Sequence, residues 1–141
     1  MKTKGAVMEL SEERIDDIMR CYKEYLHNCN YINTQELYST IANMPSRRFW
    51  VSDKRAFVVV SLLIKGEEEI LNKMRPLKRE MYREIHKRVI TLRNENRITS
   101  VAKLCSYVIN QPAPKFYLAP GSIKMIVSKS RRRWYQKQQK Q

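Results

Sequence analysis

The chain reads ELYSTIANMPSRRFWVS at residues 36–52 and KLCSYVINQPAPKFYLA at residues 103–119, two versions of one segment separated by an offset of 67. The identical pairs are Leu37/Leu104, Ser39/Ser106, Asn43/Asn110, Pro45/Pro112 and Phe49/Phe116. Conservative pairs, such as Trp50/Tyr117, fill several of the positions between them. A shared proline, aromatic pair and apolar run in one register indicate an internal repeat.

The sequence upstream of each copy carries a matching apolar pattern. Ile15, Ile18, Met19, Tyr22, Tyr25 and Leu26 recur at the three-and-four spacing of an amphipathic helix. Adding 67 to this stripe reaches Tyr82, Ile85, His86, Val89 and Leu92, which continue the same pattern. Because this agreement lies outside the matched segments, it supports the repeat independently.

Capping and breaking residues divide each copy into three helices. In the first copy they predict helices from Ser11 to about 28, from the Thr34 cap over 35–43, and from the Ser52 cap over 53–65 up to Gly66. In the second they predict helices from Pro76 to about 94, after Thr99 or Ser100, and from Pro120 to about 137. The predicted fold is therefore mainly α, with two related three-helix, helix-turn-helix-like units in tandem at 1–66 and 67–141.

Charge is unevenly distributed along the 141 residues, whose formal net charge is +14. Residues 1–66 carry ten Lys/Arg and eight Asp/Glu, whereas residues 67–141 carry eighteen and six. A near-neutral first unit fits a scaffold or dimer surface, and a basic second unit favours a polyanionic partner. A merely solubilising surface is the alternative, although solubility does not require this asymmetry.

The sequence offers little for catalysis, metal binding or membrane insertion. Three cysteines without close pairing favour a reducing compartment, and no apolar run approaches a membrane span. Cys21, His27 and Cys29 lack the number and spacing of ligands that structural zinc requires. We therefore expect no enzyme activity, cofactor or metal, and a cytoplasmic protein of the bacterial cytosol or nucleoid, with a virion as an alternative.

The order of three helices resembles DNA-binding helix-turn-helix domains, in which the last helix enters the major groove. In the second copy, the predicted nucleic-acid contacts of this last helix and its basic tail are Lys124, Ser128, Lys129, Arg131, Arg132, Arg133, Trp134, Tyr135 and Lys137. Trp134 and Tyr135 would stack on bases of a single-stranded target. The alternative is a solvated tail with Trp134 folded onto the core.

Additional phosphate contacts are predicted outside the last helix. Arg79, Arg83 and Lys87 recur every fourth residue and form a basic ridge, unless neighbouring Glu80 and Glu84 neutralise it. Lys115 precedes the second aromatic pair, Phe116-Tyr117. We expect both repeated aromatic pairs to be buried plugs, because aromatics beside a repeated proline usually anchor a loop.

The sequence predicts a non-enzymatic nucleic-acid-binding protein, for DNA more than RNA, acting as a regulator or accessory factor of a phage or mobile element. In architecture it is similar to tandem three-helix repeats of the Myb type, but their regular tryptophan spacing is absent. Two alternatives stay open: a basic structural or assembly protein of a phage-like particle, and an RNA-binding accessory factor of a polymerase or reverse transcriptase. A homodimer or a partner protein is a further open alternative.

Overall fold

The computed structural model describes the backbone of residues 3–139 and the side chains of residues 10–139. This part of the chain folds into helices joined by short connections. They are α1 (Thr3–Asn28), α2 (Thr34–Ala42), α3 (Asp53–Ile64), α4 (Glu69–Asn72), α5 (Pro76–Glu95), α6 (Val101–Ile109) and α7 (Pro120–Gln139). The prediction of a mainly α-helical fold is confirmed.

Most helix boundaries follow the predicted caps. Ser52 and Ser100 each accept a hydrogen bond from an amide in the first turn of their helix. Gly66 follows the carboxyl end of α3. Its φ of +87° is a left-handed conformation that glycine adopts without strain. These predicted signals are confirmed. Ser52 and Ser100 each bond a backbone amide at the start of a helix, and Gly66 provides the backbone turn after one.

Two predicted helix starts are wrong. Ser11 does not cap α1, which begins at Thr3 because residues 3–10 contain no proline to stop the helix. Thr34 is already helical, and Asn33 is the cap of α2. The Asn33 side-chain oxygen accepts hydrogen bonds from the amides of Gln35 and Glu36 at 3.0 and 3.3 Å.

The helices are grouped into two compact units that do not follow the order of the repeats. One unit comprises residues 1–46 and 114–141, in which α7 packs against α1 and α2. The other comprises residues 47–113, in which α3 packs against α5 and α6. The tandem three-helix units are therefore not confirmed, because the third helix of each repeat packs on the first two of the other.

Local geometry recurs at the offset of 67. Helices α2 and α6 are both nine residues long, with starts and ends 67 apart, and α3 and α7 start 67 apart. The Phe49 amide donates to the Ile109 carbonyl at 2.9 Å within one unit, and the Phe116 amide donates to Ala42 at 3.1 Å within the other. These paired bonds hold each extended connection to the end of the other repeat's second helix.

The predicted apolar stripe is largely buried on α5 but only in part on α1, where Ile15, Met19, Tyr22, Tyr25 and Leu26 are half-buried. In the unit of residues 47–113, Tyr82, Ile85 and Val89 of α5 are fully buried, as the predicted stripe requires. On α1, Ile18 is fully buried, and buried Asp17 and Cys21 lie beside it. Asp17 accepts from Arg20 at 2.7 Å, which offsets the cost of burying its carboxylate.

Candidate nucleic-acid interface

Helix α7 has a narrow buried stripe and a wide exposed face. Ile123 and Val127 are buried in the unit that α7 forms with α1 and α2. The exposed side chains include all the predicted contacts on this helix: Lys124, Ser128, Lys129, Arg131, Arg132, Arg133, Trp134, Tyr135 and Lys137. The alternative in which Trp134 folds onto the core is wrong, because 58% of Trp134 is exposed.

One side of this exposed face gathers residues at helical spacing. Lys124, Ser128, Arg131 and Arg132 follow at i, i+4, i+7 and i+8, so their side chains project in neighbouring directions. The 20 residues of α7 extend over about 30 Å. The helix can therefore present a row of cations along its length.

Carboxylates are missing from this part of the sequence. Helix α7 contains six Lys/Arg and no Asp/Glu, and the last acidic residue of the chain is Glu95. Within residues 10–139, no cation of α7 forms an ion pair. The positive charge of α7 therefore has no acidic neighbour on its own helix to offset it.

Aromatic side chains lie at the carboxyl-terminal part of α7. The Trp134 and Tyr135 rings meet edge to face, with centroids 5.2 Å apart and an interplanar angle of 79°. A hydrogen bond with Tyr135 raises the pKa of Arg131. Arg131 is therefore a permanent cation held beside an exposed aromatic pair.

A groove of about 420 Å³ runs between this part of α7 and α1. Ser130, Arg131, Trp134 and Tyr135 line it from α7, and Asp16, Met19, Tyr22 and Lys23 line it from α1. The α1 residues were missed as site residues because the two helices are more than a hundred positions apart in sequence. Met19 and Tyr22 were assigned to an apolar stripe, which was the only signal they carried.

The predicted ridge on α5 has a different character. Arg79 donates from Nε to the Leu71 carbonyl at 3.1 Å and from a terminal nitrogen to the Met74 carbonyl at 3.0 Å. Arg83 lies 3.8 Å from Glu68. Lys87 is exposed. Arg79 thus stabilises the connection between α4 and α5, and a phosphate role for this ridge stays a prediction.

The repeated aromatic pairs are mainly buried, as expected. Phe49, Phe116 and Tyr117 are less than a tenth exposed, and Trp50 is half-buried. Lys115, half-buried, lies 5.5 Å from the centre of the Tyr117 ring. This cation–π contact gives Lys115 a role in holding the connection before α7.

Arginines near the first aromatic pair are likewise engaged with the fold. Arg48 donates to the carbonyls of Phe49 and Val51 at 3.1 and 2.9 Å. Arg88 lies over the Phe49 ring at 5.0 Å and pairs with Glu84 at 2.7 Å. Some cations of this protein thus stabilise connections, whereas those on α7 are exposed, as are Lys65, Lys73 and Lys87 of the other unit.

The charge asymmetry of the sequence halves is not an asymmetry of the folded units. The unit of residues 1–46 and 114–141 has a net charge of +6, and the unit of residues 47–113 has +8. These two units therefore do not coincide with the near-neutral and basic halves of the sequence. The physical reason is that α7, with its cations, packs on helices of the first repeat.

Other kinds of site receive little support from the described residues. In that part of the chain no three His, Cys, Asp or Glu side chains lie close enough to hold a metal ion. Within residues 3–139, every helix is too short or too polar to cross a bilayer. The described cysteines Cys21, Cys29 and Cys105 are all free, and burial raises the pKa of the Cys105 thiol to about 11.

Comparisons with known proteins add no identification. No protein-family model, curated protein or solved structure matches this chain.

Proposed function

We propose that this protein is a non-enzymatic nucleic-acid-binding protein, for DNA more than RNA, and that it holds phosphates with the exposed face of α7. The observation that carries the proposal is the composition of α7 in its folded setting. Six cations and no carboxylate lie on a helix whose apolar residues Ile123 and Val127 are already buried. Packing therefore does not require the cations.

Physical chemistry favours a polyanion as the partner of this face. Closely spaced cations repel one another along a helix, and a row of phosphates relieves that repulsion. Each phosphate contact also releases condensed counterions from the nucleic acid. α7 lies against α1 and α2, which supports a role like that of the third helix in a helix-turn-helix domain.

The proposal extends to the biological role expected from the sequence. A small basic protein of this kind would act as a regulator or accessory factor of a phage or mobile element. Lys124 and Ser128 would lie nearest to bases, Lys129, Arg132, Arg133 and Lys137 would contact phosphates, and Arg131 would lie within reach of both.

The test is the salt dependence of binding, measured by fluorescence anisotropy between about 50 and 200 mM salt with duplex DNA, single-stranded DNA and RNA. Removing two phosphate contacts with Arg131→Ala and Arg132→Ala should flatten the slope of log affinity against log salt. The change should be up to about 1.8 for duplex and about 1.4 for single strands.

The matched control replaces two exposed lysines of the other unit, Lys65→Ala with Lys73→Ala, and leaves the same net charge. We expect its slope to stay close to that of the unchanged chain. Equal flattening of the slope by both double variants would mean that binding depends on total charge. It would overturn the proposal that phosphates bind on α7. Absence of binding at the lowest salt would favour the assembly protein instead.

A further inference from the structure

The exposed rings at the end of α7 lie beside a groove that packing leaves unfilled. Trp134 and Tyr135 are 58% and 53% exposed, although both belong to the largest side chains of the protein. Large aromatic groups stabilise a fold by being buried, so these two adjacent exposed rings contribute little to the fold and are available to a ligand. The same rings line the groove between α1 and α7.

The lining of this groove combines flat apolar surface with positive charge. Met19, Tyr22 and Trp134 supply apolar and aromatic surface, while Arg131 and Lys23 supply cations from the two helices. Among the described residues that line the groove, Asp16 is the single carboxylate. A ligand that suits the groove therefore has a planar ring and a neighbouring negative charge.

The geometry of the aromatic pair restricts where that ring can bind. Because Tyr135 meets Trp134 edge to face at 79°, the two rings do not cover one another's faces as a parallel stack would. Arg131 lies one helical turn before Tyr135, at i and i+4 on the same face of α7. An exposed ring beside a cation resembles the aromatic and basic combination that binds single-stranded nucleic acids.

We propose that the groove between α1 and α7 holds an unpaired nucleobase, which stacks on Trp134 while its phosphate meets Arg131. This proposal rests on the proposed function and narrows it, because a base inside a duplex is stacked between its neighbours and cannot enter the groove. The preferred ligand is therefore a single strand, or a site with unpaired nucleotides, and the cations farther along α7 hold the adjoining backbone.

The experiment compares single-stranded and duplex DNA oligonucleotides of about 16 nucleotides at one salt concentration, using the full chain. Trp134→Ala should weaken single-strand binding about tenfold or more, because base–aromatic stacking is lost. Duplex binding should change less than about twofold, since phosphate contacts dominate it. Trp134→Phe should retain most of the single-strand affinity, whereas Trp134→Leu, which is apolar without a stacking ring, should not.

Intrinsic fluorescence supplies a second readout. The chain has two tryptophans, and the Trp134→Phe variant reports Trp50 alone. Single-stranded DNA should quench the fluorescence of the unchanged chain and leave that of Trp134→Phe nearly unaltered. Circular dichroism of each variant shows whether the helices are retained.

The outcomes separate the two proposals. If the unchanged chain binds no nucleic acid, the proposed function fails and the groove proposal fails with it. If it binds, but Trp134→Ala and Trp134→Leu leave single-strand affinity unchanged or weaken duplex binding equally, only the groove proposal is overturned. A preference for single-stranded RNA over single-stranded DNA would support the groove as the binding site. It would make RNA, rather than DNA, the ligand.

Discussion

Helices α3 and α7 begin 67 residues apart and occupy the same place in the two repeats, yet their surfaces are opposite in character. α3 buries Ala56, Val59, Val60 and Leu63 and carries two cations and one carboxylate. α7 buries two residues, Ile123 and Val127, and carries six cations and no carboxylate.

The comparison shows that two helices in equivalent positions of a repeat can differ in burial and charge. Both helices pack on the first two helices of the other repeat, and the Phe49 and Phe116 amides hold their connections in equivalent ways. The scaffold therefore does not explain why only one copy is strongly basic. The proposed nucleic-acid ligand would explain it, because the cations of α7 are exposed and lack ion pairs in the described part of the chain.

The largest expected effect tests whether the third helix of each repeat packs on the first two helices of the other repeat. A fragment of residues 47–113 contains α3 with its partners α5 and α6, so we expect it to fold and to melt cooperatively. A fragment of residues 67–141 exposes the apolar faces of α5, α6 and α7 and should be largely unfolded. Circular dichroism melts of both fragments measure this difference.

The opposite result for the two fragments would contradict this packing. A cooperative transition for residues 67–141 together with an unfolded 47–113 would restore the tandem units. It would also remove the packing argument for an exposed basic face on α7.

A smaller effect is expected where α7 is anchored. Ile123 is fully buried, and Ile123→Ala should lower the free energy of unfolding by about 2–5 kcal/mol through lost apolar burial and a cavity. Met125 on the same helix is 58% exposed, so Met125→Ala should change it by less than about 0.5 kcal/mol. Equal costs in urea denaturation would contradict the assignment of buried and exposed faces.

Local features of this fold were predictable because they depend on neighbours in sequence. Ser52, Gly66, Ser100 and Pro120 end or begin helices through bonds and backbone preferences within a turn. The exposed cations of α7 were predictable because periodicity separates them from Ile123 and Val127. Ser11 was mispredicted because a good capping residue does not act where the helix already continues.

The pairing of helices was not predictable in the same way. The apolar patterns of the repeats are alike enough that sequence does not say whether α3 or α7 packs on α1 and α2. In the structure the bonds from Phe49 to Ile109 and from Phe116 to Ala42 accompany the observed pairing. The groove beside Tyr22 could not be predicted, because it exists only where α7 packs against α1.

The smallest expected effect is a pH dependence confined to one unit. His86 is half-buried, and burial lowers its pKa below 6.5, with Arg83 acting in the same direction and Glu68 against it. Because folding favours the neutral ring, the unfolded chain binds more protons, and stability falls as the pH drops from about 6.5 through the folded pKa. His86→Gln should reduce this fall in melting temperature.

The matched control for that measurement is His27→Gln, since His27 is exposed at the end of α1. The pH profile of its melting temperature gives the baseline for replacing an exposed histidine. Identical profiles for both variants would show that desolvation of His86 does not contribute.

The central claim, that nucleic acid lies on the exposed face of α7, is tested most directly by photocrosslinking. A single-stranded DNA containing bromodeoxyuridine is irradiated with the full chain, and the attached tryptic peptides are identified by mass spectrometry. We expect attachment to the peptide of residues 134–137, which carries Trp134 and Tyr135. Attachment mainly within residues 47–113, or spread evenly over both units, would contradict it.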